Sequence, residues 1–212
     1  MTDYDAAPPR RHYPALEQHE VAEGVSDEFK ARMEDTLIKI PEQVMDAVKA
    51  YGYQLKFGPM LLALRPDLRN VRPRGHTPGK TFEHVDGFHD PATKQIYVFE
   101  YLKPDVLATT YARNTRAEAV FRHELGHAFD RASGDLSESP WFILAYEHDL
   151  DSITLEETIE QYQYYLQSGI AGHRETFAEL LAVLMGGGPD RHVILKAVFT
   201  ETCAALKKFL QR

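Results

Sequence analysis

The chain has 212 residues, room for one domain with or without a tail. Hydrophobic residues make up 43% and charged residues 26%, which excludes wholesale disorder, and no apolar run of about 18 residues is present to span a membrane. A single cysteine, Cys203, excludes an intramolecular disulfide or a multi-cysteine zinc knuckle, and a net charge of -8 argues against nucleic-acid or acidic-membrane partners.

Residues 1–25 are rich in Pro, Ala and charge without a sustained apolar period, and read as a flexible N-terminal arm; residues 26–212 read as the domain. The start lacks the apolar segment of a Sec signal, so residence is expected to be cytoplasmic or reached by a non-Sec export route. Phe29, Met33, Leu37 and Ile40 recur at helical spacing after Ser26, a cap residue followed by two acids. Pro41 opens a second helix, PEQVMDAVKAYG, which Gly52 can close, and YQLKF alternates as a strand. Residues 64–80 hold four arginines, a lysine and three prolines, and read as a solvated irregular loop or a local basic patch near a cleft.

Two strands are then predicted, FEHVDGFHD and KQIYVFEYL, joined by a turn at residues 90–93. His84 and His89 lie on the first, read as ordinary residues of an exposed hairpin. A helical pattern runs from about 106 to 132 and is strongest over 116–132, ended by Gly134. Ser139 and Pro140 start another helix, SPWFILAYEHDL. A polar and aromatic stretch, LEETIEQYQYYLQ, leads through a Ser-Gly-Ile-Ala-Gly loop to the amphipathic HRETFAELLAVLM, and a last helix covers about 190–210. The fold class is therefore α+β, helix-rich, with a small, mostly antiparallel sheet before the key helix.

Residues 123–127 read His-Glu-Leu-Gly-His. On a helix the spacing of four puts His123 and His127 one turn apart, where two neutral imidazoles can share one metal ion, and zinc suits such ligands. Glu124 lies beside that face and can take a proton from water held there. Gly126 stands where another backbone can pass close. The extension with a third histidine three residues after a glycine is absent, because His127 is followed by AFDRAS. The third ligand then falls to a carboxylate on a separate helix. Glu175 and Glu179 share one helical face, so that one can bind the ion while the other holds a ligand histidine.

HELGH followed some fifty residues later by ETFAE resembles the anthrax lethal factor-like zinc metallopeptidases, which include the Pro-Pro endopeptidases. The resemblance covers about residues 81–186. It implies a zincin-like metallopeptidase domain of gluzincin type holding one zinc ion. It also implies His123, His127 and Glu175 as metal ligands, Glu124 as general base, and Glu179 supporting the site from behind. The family places an oxyanion-stabilising tyrosine a few residues before the ligand glutamate. Here the nearest are Tyr164 and Tyr165, ten or eleven residues before Glu175, with Tyr165 preferred and His173 a competitor. Relatives are often toxins or effectors.

The expected function is a zinc-dependent endopeptidase acting on a peptide or protein substrate, as a monomer. The alternative is a relict zinc-binding interaction module that captures a partner protein in its cleft; Glu124, which such a relict has little reason to keep, favours the enzyme. A zinc hydrolase acting on another bond is a third reading. Asp130, Asp149 and Asp151 are further candidates to support a ligand histidine. A substrate backbone would pair with whichever predicted strand lies at the sheet edge.

Overall fold

The computed structural model describes residues 12–69, 71–73, 79–154, 162–163, 165–187 and 195–211. In chain order, β1 (Glu20–Val21) is followed by α1 (Asp27–Leu37), α2 (Glu42–Ala50) and β2 (Gln54–Gly58). The short α3 (Leu61–Leu64) precedes β3 (Gly87–Asp90), β4 (Gln95–Phe99), β5 (Tyr101–Leu102) and β6 (Ala112–Arg113). Helices α4 (Ala117–Ala132), α5 (Pro140–Ser152), α6 (Ile170–Leu184) and α7 (Thr200–Leu210) complete the described chain. The architecture is a helix-rich α+β fold. No helix among the described residues is long and apolar enough to cross a membrane.

The helix starts follow local chemistry. The Ser26 hydroxyl accepts from the Phe29 backbone N–H at 3.1 Å and caps α1. Pro41 stands as the cap residue of α2, and Gly52 leaves that helix at φ +98°. Asp90 turns the β3–β4 hairpin by accepting from the amides of Ala92 and Thr93.

The sheet corrects the mostly antiparallel expectation. Its strand order is β1-β2-β4-β3, with β1–β2 and β2–β4 parallel and only β3–β4 antiparallel; β5 and β6 form a separate antiparallel pair. The physical reason is the connection: β1 returns to β2 through two helices, a crossover that delivers a parallel neighbour, and alternation within one strand carries no trace of it. The first predicted strand is also shorter than expected. Residues Phe82–His84 form a 3₁₀ turn capped by Thr81, so His84 is off the strand and His89 is on it. Residues 106–111 hold no helix, and α4 starts at Ala117.

Of residues 1–25, read from the sequence as an arm, 12–25 are described and 1–11 lie outside the described residues. Leu16 and Val25 are buried in the main core. The Glu34 carboxylate accepts from the amides of Ala15 and Leu16, both at 2.9 Å, which ties the segment to α1.

Strand β4 is central and covered on both faces, which explains its unbroken apolar run. Ile96 and Val98 join Leu55, Phe57, Phe29, Val44, Phe121 and Leu125 in the main core, while Tyr97 and Phe99 pack with Leu61 on the other side. Two buried polar residues then register the helices on this sheet. Glu100 accepts from the Ser26 amide (2.9 Å) and hydroxyl (2.6 Å), locking α1 to the end of β4. The Asn114 side-chain amide donates to the Phe99 and Asp86 carbonyls and accepts from the Arg116 amide, fixing where α4 leaves the sheet. Arg32 adds a bidentate bridge from α1 to Glu118 on α4, with both contacts at 2.6 Å.

Candidate metal centre

Helix α4 lies against β3 and, on its other side, against α6. Both approaches depend on glycine. A Cβ on Gly87 would sit 2.7 Å from the Tyr97 carbonyl oxygen and 2.8 Å from a Val120 methyl. One on Gly126 would sit 2.7 Å from both Cα and carbonyl oxygen of Ala178. Gly126 lies between His123 and His127, and Ala178 lies between Glu175 and Glu179, so a close backbone approach of the two helices falls at the level of these four side chains.

On α4 the imidazole rings of His123 and His127 stand edge-to-face, with centroids 4.7 Å apart and Nε2 atoms 3.1 Å apart. From α6, Glu175 Oε2 lies 3.3 Å from His123 Nε2 and 3.4 Å from His127 Nε2. Three ligand atoms about 2.0–2.1 Å from a tetrahedral metal ion are separated by about 3.3–3.4 Å. The observed triangle has that size. Glu175 Oε2 is moreover buried with no hydrogen-bond partner among the described residues, a costly state for a carboxylate unless a cation belongs there. His123, His127 and Glu175 can therefore hold a metal ion, and they form such a group among the described residues. Glu179 completes the arrangement from behind: His123 Nδ1 lies 2.7 Å from its Oε2, so that Nδ1–H donates to the carboxylate and Nε2 is the nitrogen turned toward Glu175.

The electrostatics follow from this crowding. Burial alone would raise the Glu175 carboxyl, but the imidazoles of His123 and His127 overcome it and hold the group far below the usual carboxylate range. Burial likewise opposes charge on His123, yet Glu175 and Glu179 hold its pKa up at about 10. Glu124 is partly exposed beside His123 and forms no ion pair among the described residues. Such a site offers three convergent ligand atoms, a partly exposed carboxylate beside them, and a carboxylate-fixed imidazole.

No family model and no curated protein matches the sequence. Among solved structures, the chain is similar to the Pro-Pro endopeptidase PPEP-2 from Paenibacillus alvei, with a TM-score of 0.63 and 21% identity over 92% of this chain and 99% of that chain. The fold is shared. Similarity at this identity speaks to architecture, so the roles of individual residues rest on the geometry of this chain.

The other residues weighed in the sequence distribute differently. Tyr165 is 4% exposed within the main core, and its carbonyl accepts from Tyr146 (2.6 Å) and Thr176 (3.2 Å). Tyr164 lies outside the described residues. His173 stands edge-on to Tyr146 at 4.8 Å, with burial pushing its pKa down. Asp130 and Asp149 are structural. Asp130 accepts from the Ser137 amide and hydroxyl, and Asp149 caps α7 through the amides of Glu201 and Thr202.

One neighbour of the site was missed in the sequence. The ring of His89, on β3, lies parallel to that of His127 (10°, centroids 6.2 Å apart), and its Nε2 is 2.6 Å from the Tyr53 hydroxyl. Burial, with His127 adding to it, lowers its pKa to about 4. Strand alternation held the signal: Phe88 packs against Tyr97 on one face, so His89 must face the other, where α4 lies.

Proposed function

We propose that this chain is a zinc-dependent endopeptidase with a zincin-like site. The reading is carried by one observation: the carboxylate oxygen of Glu175, on α6, lies between the two imidazole nitrogens of α4 at the spacing of a tetrahedral zinc site, without a hydrogen-bond partner among the described residues. The shared fold with a Pro-Pro endopeptidase supports peptide chemistry in particular.

His123, His127 and Glu175 would hold the zinc ion, and a water beside it would be the nucleophile. Zinc, when bound, supplies Lewis acidity toward that water and toward a peptide carbonyl. Glu124 is the general base. Sitting one residue after His123, it takes a proton from the attacking water and passes it to the amine that leaves as the C–N bond breaks. Glu179 keeps His123 in the tautomer that presents Nε2. The substrate backbone adds to β3, which pairs only with β4 among the described strands, whereas β4 is paired on both sides and unable to accept another.

Chelation tests this reading. Incubating the chain with unfolded protein should yield cleavage that a chelator abolishes and zinc restores. In Glu175→Ala, zinc at the same concentration should restore neither metal content nor cleavage. Cleavage that survives exhaustive removal of metal would contradict the assignment.

A further inference from the structure

Hydrolysis of a peptide bond places negative charge on the carbonyl oxygen, and a preorganised donor aimed at that oxygen contributes much of the acceleration. Tyr165, expected in this role, is 4% exposed in the core. His89 stands in a different position. It belongs to β3, the strand on which an extended substrate would lie, and its ring is parallel to that of His127. It is partly exposed rather than sealed off.

Its hydrogen bonding settles which nitrogen is free to act. Tyr53 is buried, packs 5.1 Å from the His89 ring, and has its hydroxyl 2.6 Å from Nε2. Among the described residues that hydroxyl meets no other acceptor. A buried phenol O–H left unpaired is costly, so Tyr53 donates to Nε2. A neutral imidazole that accepts at Nε2 carries its proton on Nδ1. Nδ1 makes no hydrogen bond with the described residues, so it is a donor held in place with no acceptor among them.

We propose that His89, with its tautomer set by Tyr53, is a catalytic residue whose Nδ1–H donates to the carbonyl oxygen of the scissile bond. The N–H bond stays intact throughout; the group stabilises developing charge and transfers no proton. Tyr53 is a positioning residue that acts through His89. The inference rests on the peptidase reading above and extends it to the electrophilic side of the reaction.

The test uses the full zinc-loaded chain and three variants, with Glu124→Ala as the inactive reference. His89→Phe keeps a ring in the stack but removes the donor, and should lower kcat about 10²–10³-fold with KM within about threefold and zinc content unchanged. His89→Asn restores an N–H near the Nδ1 position and should recover at least about tenfold of that loss. Tyr53→Phe leaves the tautomer unfixed. Nitrogen NMR of histidine-labelled protein should show the His89 proton on Nδ1 in the wild type and shared between both nitrogens in Tyr53→Phe. A wild-type kcat in His89→Phe would overturn the assignment, as would a proton on Nε2. Zinc lost together with activity would instead make His89 a prop for His127. If the wild type itself cleaves nothing, and matches Glu124→Ala, the peptidase reading fails and takes this inference with it.

Discussion

Glu175 concentrates the electrostatics of the site in one atom, because its Oε2 faces both Nε2 nitrogens and accepts no hydrogen bond from the described residues. Removing it and removing Glu124 should therefore have opposite signatures. Glu175→Ala should lose metal, read as zinc content after dialysis, whereas Glu124→Ala should keep metal and lose about 10²–10⁴-fold in turnover. Glu179→Ala should weaken zinc affinity by about 10–100-fold, since it leaves His123 Nδ1 without its acceptor. A proton count checks the same geometry. In the metal-free chain His123 keeps its proton up to about pH 10, while zinc takes Nε2 only as a neutral imidazole. Zinc uptake near neutrality should thus release about one proton, and affinity should fall as pH is lowered. Calorimetry in two buffers of different ionisation enthalpy reads that proton directly; an uptake heat independent of buffer would contradict the ion pair.

At the level of elements, the close approach of α4 and α6 rests on Gly126. A methyl there would lie 2.7 Å from backbone atoms of Ala178, which cannot swing aside as a flexible side chain could. Gly126→Ala should cost about 1–3 kcal/mol of stability and, by moving Glu175 away from the histidines, weaken zinc binding as well. Thermal unfolding with and without zinc separates the two effects; equal Tm and equal affinity to the wild type would mean that the helices have slack. The elements themselves were unevenly legible in the sequence. The Ser26 cap, Pro41 and the His123/His127 spacing are short-range patterns, and they led to α1, α2 and the helical histidine pair. Sheet polarity depends on crossovers, and the placing of His89 against His127 depends on how β3 meets α4. Neither is written within one segment. Asp130 and Asp149 show the converse: their carboxylates stood near the motif in sequence but serve turns and caps.

Across the whole molecule, residues 12–25 pack on the core, and this gives the fold an acid-sensitive point distant in sequence from the motif. His19 is partly buried, with its ring 6.3 Å from that of Phe57, and burial, aided by the Lys49 charge, lowers its pKa from 6.5 to about 4. The folded state resists this proton while the unfolded chain accepts it. Stability contributed by neutral His19 is therefore full above pH 6.5, is lost as pH falls from there toward about 4, and changes no further below that. In His19→Gln the dependence of Tm on pH over this window should be shallower; an unchanged slope would assign the acid sensitivity elsewhere. The central claim, however, is that this fold brings two helices together to hydrolyse peptide bonds. It is tested most directly by mass-spectrometric cleavage profiling of a diverse peptide library with zinc-loaded wild type and Glu124→Ala side by side. A defined set of cleaved bonds is expected in the wild type and none in the variant. Equal cleavage by both proteins, or none by either, would contradict it.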